Sequence, residues 1–168
     1  MNTEELIINI DKIKKGVITV TAIASTETLK KQELLNENSI IALGDTTTVF
    51  RAELTIIGKD TSFTLNPFID RELKEKLQLQ DTDKALLIQN AITKPAFRGE
   101  GIAYHTLQKI IERFNLENVM YHHVTHYKTD KFEVAEFEDK ASVGLLNKLG
   151  FKEVQKYNND ITLYVLKR

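Results

Sequence analysis

The 168-residue sequence has no cysteine, no tryptophan, two prolines and almost no net charge. Without cysteine there is no disulfide, no thiolate metal site and no cysteine nucleophile, a usage that fits a reducing cytoplasm. A net charge of −1 argues against a broad nucleic-acid-binding surface, so no nucleic-acid partner is expected. No apolar run exceeds four residues, so no membrane span is expected. The opening Met1-Asn2-Thr3-Glu4-Glu5 is acidic and lacks the basic end and apolar core of a signal peptide, which also points to the cytoplasm. Internal repeats and low-complexity linkers are missing as well. What is present, 42% hydrophobic and 28% charged residues, suits one globular domain over 1–168.

The first half reads mainly as strands. Leu6 to Ile10 suits a short strand or an N-terminal arm, and Gly16 to Ala24 is a strand rich in β-branched residues. Ser25 to Asn36 is helical, capped by Ser25 or Thr26, with Leu29, Leu34 and Leu35 as a thin apolar face. Ile40 to Leu43 is a short strand before the turn Gly44-Asp45. Phe50, Ala52, Leu54 and Ile56 then alternate with Arg51, Glu53 and Thr55, the pattern of a half-buried antiparallel strand. Gly58-Lys59-Asp60 turns into Ser62 to Leu65. Asn66-Pro67 opens a helix buried through Ile69, Leu73 and Leu77.

The segment that organises the second half follows the apolar run Ala85-Leu86-Leu87-Ile88, within a strand over 84–93. Ala103, Leu107, Ile110, Ile111 and Phe114 recur at spacings of three and four, so a helix is expected over 99–114. Between them lies Pro95-Ala96-Phe97-Arg98-Gly99-Glu100-Gly101. A first helical turn has unpaired N–H groups and the positive end of the dipole, and glycine lets an anion approach closely. With Arg98 alongside, the fitting guest is a phosphate or pyrophosphate. The same two glycines also suit a turn that needs them only for geometry, and Arg98 also suits a pair with Glu100 or Asp139. The spacing matches neither a P-loop nor a dinucleotide fingerprint, whose third glycine position is Tyr104.

Arg98-x-x-Gly101-x-Ala103 resembles the acetyl-CoA signature of the GCN5-related N-acetyltransferases (GNAT). Ala141 to Phe151, ending Leu149-Gly150-Phe151, resembles the late helix of that family. The resemblance covers roughly residues 85 to 168. It implies an α/β (α+β) fold with a mixed, mainly antiparallel sheet, helices on both faces, and strands four and five splayed apart. It also implies acetyl-CoA as co-substrate, with no metal. Pantetheine would pair with the backbone of Ala91, Ile92 and Thr93, and the pyrophosphate would sit on Arg98, Gly99, Glu100, Gly101, Ile102, Ala103 and Tyr104. Lys109 and Tyr104 are candidates to flank the cofactor. Asp139 stands where the family often has an asparagine, and it is polar and able to cap the late helix.

Three positions depart from the family. Gln89 stands at the place of a strand-four glutamate, Leu146 at the place of a tyrosine acid, and Asp139 at the asparagine. Also, the helix after Asn66 interrupts what is usually a strand meander. His122, His123 and His126 cluster on or just after an expected fifth strand, Asn118 to Thr125. His123 and His122 lie nearest a strand-five position where some members carry a catalytic glutamate, and histidine titrates near neutral pH. Strand alternation sends the two to opposite faces. All three also suit surface or packing roles, as does His105 on the helix. His122 and His126 on one strand would stand about 13 Å apart, too far for a metal pair.

Thr129 to Phe137 reads as a charged loop, Glu138 to Leu149 as the late helix, and Phe151–Tyr157 with Ile161–Leu166 as a closing hairpin. The resemblance implies an acyl-CoA-dependent N-acyltransferase that moves acetyl to a primary amine by direct attack in a ternary complex. The acceptor would be a small-molecule or peptide amine. The alternative is a catalytically inactive domain of that fold acting as an acyl-CoA sensor or protein-interaction module. A homodimer is common in the family.

Overall fold

Period-2 alternation over residues 17–25 and 46–54 is matched by register, so the buried sets of neighbouring strands share a face. The computed structural model describes residues 2–12, 17–31, 46–57, 84–124, 132–156 and 161–168, with the backbone alone for Lys12 and 132–139. Its elements are β1 (Ile7–Lys12), β2 (Val17–Ser25), α1 (Thr26–Lys31), β3 (Thr46–Ile57), β4 (Ala85–Thr93), α2 (Ile102–Phe114), β5 (Asn118–Val124), α3 (Phe132–Leu149), β6 (Lys152–Lys156) and β7 (Ile161–Lys167). Seven strands form one sheet in the order β1-β2-β3-β4-β5-β7-β6. Among the described residues only the β4–β5 pairing is parallel. This is the mixed, mainly antiparallel sheet expected above.

The strands expected at Ile40–Leu43 and Ser62–Leu65 lie outside the described residues. So do the helix after Asn66, His126, Leu34 and Leu35. Strands β2, β3 and β4 are nonetheless consecutive antiparallel neighbours, as the family meander requires. The expected loop at Thr129–Phe137 is corrected: α3 begins at Phe132. Residues 131–143 contain no glycine or proline, and Lys, Glu and Ala favour the helix more than scattered aromatics oppose it.

The parallel β4–α2–β5 connection and the passage from β5 through α3 to β6 step the same way across the sheet. Right-handed crossovers therefore place α2 and α3 on one face. The larger core cluster lies there and includes Val20, Ala52, Leu54, Leu86, Ile88, Val119 and Tyr121 from the strands. Leu107 and Ile110 of α2 and Leu146 of α3 join it. A second cluster on the other face comprises Ile57, Ala85, Leu87, Met120, Leu163 and Val165. Alternation in β3 is as expected through Leu54, but Thr55 and Ile57 are also buried because they enter this second face.

Both ends of the helical layer are anchored. Ser25 Oγ accepts from Thr28 N–H at 3.0 Å, so Ser25 rather than Thr26 caps α1. At the other end of the chain's helices, Gly150 has φ +94°. Its N–H donates to Asn147 O and the Phe151 N–H to Leu146 O at 2.9 Å. That double bond pattern, with Leu146 and Phe151 both buried, is a Schellman closure. It turns the chain from α3 straight into β6.

Leu146→Ala should cost about 2–5 kcal/mol of unfolding free energy, since a fully buried side chain is removed. Gly150→Ala should cost about 1–2 kcal/mol for the left-handed backbone, because an added Cβ would also meet Leu166 Cδ1 at 3.3 Å. Urea unfolding measures both, and two wild-type-like midpoints would mean the α3 terminus is not docked as described.

Candidate functional site

Strands β4 and β5 pair only from Ala85/Asn118 to Ile88/Tyr121. Beyond this they diverge, although β4 continues to Thr93 and β5 to Val124. The cause is visible on the other edge of β4. Register slips between Arg51 and Glu53, so that Asn90 and Ala91 together oppose Ala52. Asn90 adopts φ +50°, a left-handed conformation that asparagine tolerates better than most residues. Its side-chain amide donates to Glu53 Oε2 at 2.9 Å. An inserted residue of this kind bends and twists its strand. The backbone of Ile92 and Thr93 therefore pairs with β3 on one edge, and from Ala91 to Thr93 the other edge is open toward β5.

The chain then passes through a 3₁₀ turn, Pro95–Phe97, to the start of α2. The expected helix over 99–114 begins at Ile102, with Gly101 as N-cap. Gly99 and Gly101 have φ +82° and +77°, and a Cβ built on either meets nothing within 4 Å. No side chain caps α2, and its first turn has no acidic residue. The amides of Ile102, Ala103 and Tyr104 are thus the orphan donors of a helix start, approached through two residues without side chains. Arg98 Nε donates to Thr93 O at 3.1 Å, which fixes this exposed guanidinium at the junction of open strand edge and helix terminus. The residues from Ala91 to Tyr104 picked out in the sequence are therefore one contiguous surface. Its donors suit a diphosphate and its free edge suits an extended amide-bearing chain.

Tyr104 extends that surface to α3, because Lys148 Nζ lies 4.3 Å from its ring centroid. Such a contact adds about 0.5–1 kcal/mol where exposed. Lys148 was not legible in the sequence, since nothing marks which lysine of α3 faces α2. Asp139 does not cap the late helix, since α3 starts seven residues earlier, at Phe132. Its side chain is outside the described residues. Leu146, at the family's acid position, is fully buried in the core. His105 and Lys109 line an open groove of about 460 Å³ with Leu6, Ile8 and Ile10, between α2 and β1 and away from the β4–β5 opening.

The two strand-five histidines separate as alternation requires. His123 is buried, pairs in register with Thr162, and sets its ring edge-on to Tyr164 at 6.2 Å. It shares its face with Tyr121, whose hydroxyl burial pushes up to about 12. His122 points to the opposite face. Its Nε2 is buried without a hydrogen-bond partner. Burial, and secondarily the neighbouring His123, lower its pKa below 6.5. It is thus a neutral imidazole at physiological pH, with its enclosed Nε2 unsatisfied, one residue past the last β4–β5 pair. Among the described residues no group of three or more His, Asp or Glu is placed to hold a metal ion, and no helix is long and apolar enough to cross a membrane.

No family model matches the sequence, and no curated protein matches it. Solved structures do match in shape. Arabidopsis thaliana NAA60 in complex with a bisubstrate analogue is similar at 11% identity and a TM-score of 0.55, over 91% of this chain and 77% of that one. The same protein in complex with acetyl-CoA is similar at 12% identity and 0.52, over 90% and 76%. The NatC complex bound to Gag peptide and CoA is similar at 12% identity and 0.50, over 89% and 70%. At these identities the likeness establishes the fold, which is that of the GCN5-related N-acetyltransferases.

The lowered pKa of His122 has a consequence for stability. Below pH 6.5 the unfolded chain binds a proton that the folded chain refuses, so stability present above 6.5 is lost as pH falls toward the folded value. Melting temperatures of His122→Gln should therefore decline less than those of the wild type as pH is lowered from about 6.5. Parallel curves would mean that this imidazole is freely solvated.

Proposed function

We propose that the protein is an acyl-CoA-dependent N-acyltransferase, acting by direct attack of an amine within a ternary complex. The observation that carries this reading is the contiguity of the open β4 edge at Ala91–Thr93 with the uncapped, glycine-flanked start of α2. One edge offers strand-like pairing to a pantetheine arm, and the other offers unpaired amides and Arg98 to a diphosphate. The neighbours solved with acetyl-CoA, CoA or a bisubstrate analogue support the same reading. Bound acetyl-CoA supplies the activated acyl group, and the chain's task is to hold it, exclude water and handle the amine's proton.

For that proton we assign His122 rather than His123. Its ring is less buried than that of His123, which lies against Tyr164, and it follows Tyr121, the last β5 residue paired to β4. Gln89 cannot accept a proton at neutral pH, and Leu146 has none to give. The departing thiolate is therefore protonated by water in this scheme. Location in the cytoplasm and a small-molecule or peptide amine as acceptor complete the proposal.

Gly101→Glu should weaken CoA binding by about a hundredfold or more in calorimetry, because it places a carboxylate among the phosphate-facing amides. Gly101→Asn, which tolerates the left-handed backbone, should melt similarly and bind better. Equal affinity in Gly101→Glu and wild type would remove the cofactor assignment. His122→Gln should lower thiol release from acetyl-CoA with an amine by about 10²-fold at unchanged CoA affinity. CoA binding without turnover on any amine would favour the sensor instead.

A further inference from the structure

On the sheet face away from α2, a polar row crosses three strands at the level where β4 and β5 part. Register pairs Glu53 of β3 with Gln89 of β4. Gln89 follows Ile88, the last β4 residue paired to β5, just as His122 follows its partner Tyr121. Alternation sets all three on the face of Leu87, Met120 and Leu163, where the rows on one side are apolar. Paired strands lie about 4.8 Å apart, and β4 and β5 part at this level, so Glu53 and His122 stand at least about 10 Å from each other across the row.

Glu53 is held but not used up. Oε2 accepts from Asn90 Nδ2 at 2.9 Å. Oε1 faces Arg51 Nη2 at 3.8 Å, with the two side chains 33% and 59% exposed respectively. A pair that long and that exposed contributes little, and a carboxylate has about four acceptor sites. Beyond the bulge, Ile92 pairs with Arg51 and so shares this face, where it is 54% exposed. The face thus presents an anchored carboxylate and an exposed apolar side chain, with the half-buried ring of His122 at the end of the row. Since α2 occupies the opposite face, a ligand here does not compete with one at the helix start.

Resting on the acyltransferase reading, we propose that Glu53 is the specificity-determining carboxylate for the acceptor, binding the ammonium of a primary amine whose apolar stem lies on Ile92. An amine reaches the site as a cation at neutral pH, and Gln89 offers it no charge. The carboxylate that would pair with it stands one strand further over. Glu53 also braces the bulge that opens the strands, so the amine site and the opening share a residue.

The test uses the whole protein saturated with CoA, titrated with butylammonium or with butanol, and followed by the His122 imidazole proton resonances. Butylammonium should give a saturable shift and butanol none. Glu53→Gln retains an acceptor for Asn90 but loses the charge. It should melt and bind CoA as the wild type does, yet bind butylammonium at least about tenfold more weakly. Glu53→Asp should recover part of that loss. Equal butylammonium affinity in wild type and Glu53→Gln, a matching response to butanol, or no saturable shift would overturn the assignment. Failure of the wild type to bind CoA in calorimetry would overturn the acyltransferase reading itself, and this assignment with it.

Discussion

A β-strand has two hydrogen-bonding edges, and β4 uses both only as far as Ile88. Past that point, pairing with β3 persists while pairing with β5 stops. Asn90 enforces the change: its left-handed backbone inserts an extra residue, and its amide is tied to Glu53. The edge left open lies in the middle of the sheet, at residues that are half-buried or exposed. The position of that opening fixes the direction in which α2 starts, which side of it His122 occupies, and where Ile92 is exposed.

The two faces of the opening then differ in kind. On the α2 side, binding capacity comes from main-chain donors and from two glycines at positive φ. It depends on backbone shape more than on side-chain identity. On the other side, Glu53, Gln89, Ile92 and His122 act through their side chains, which a few substitutions would re-specify. On the proposed reading, a site built this way would keep one ligand constant while its second ligand is free to vary.

Legibility in the sequence followed the same division. The strand–loop–helix unit from Ala85 to Phe114 was readable because its signals are local: an apolar run, two glycines and a helical period. The Leu149-Gly150-Phe151 closure was readable for the same reason. The start of α3 was misplaced because Phe132 to Phe137 gives no clear period, and Asp139 was consequently given a capping role that its position inside the helix forbids. The link between Glu53 and Asn90 was not legible. It depends on a register slip between segments 37 residues apart, and no local pattern announces such a slip. The contact of Lys148 with Tyr104 was hidden likewise, since it arises only when two crossovers stack their helices on the same face.

The strand order also bears on how the molecule assembles. β7 lies between β5 and β6, so β6 has no neighbour to join until the segment after it has been placed. Closing the sheet at β6 therefore requires β7 to be in place. The last strand also ties back to the body, where Arg168 Nη1 donates to Ile111 O and Asn115 Oδ1 at the end of α2.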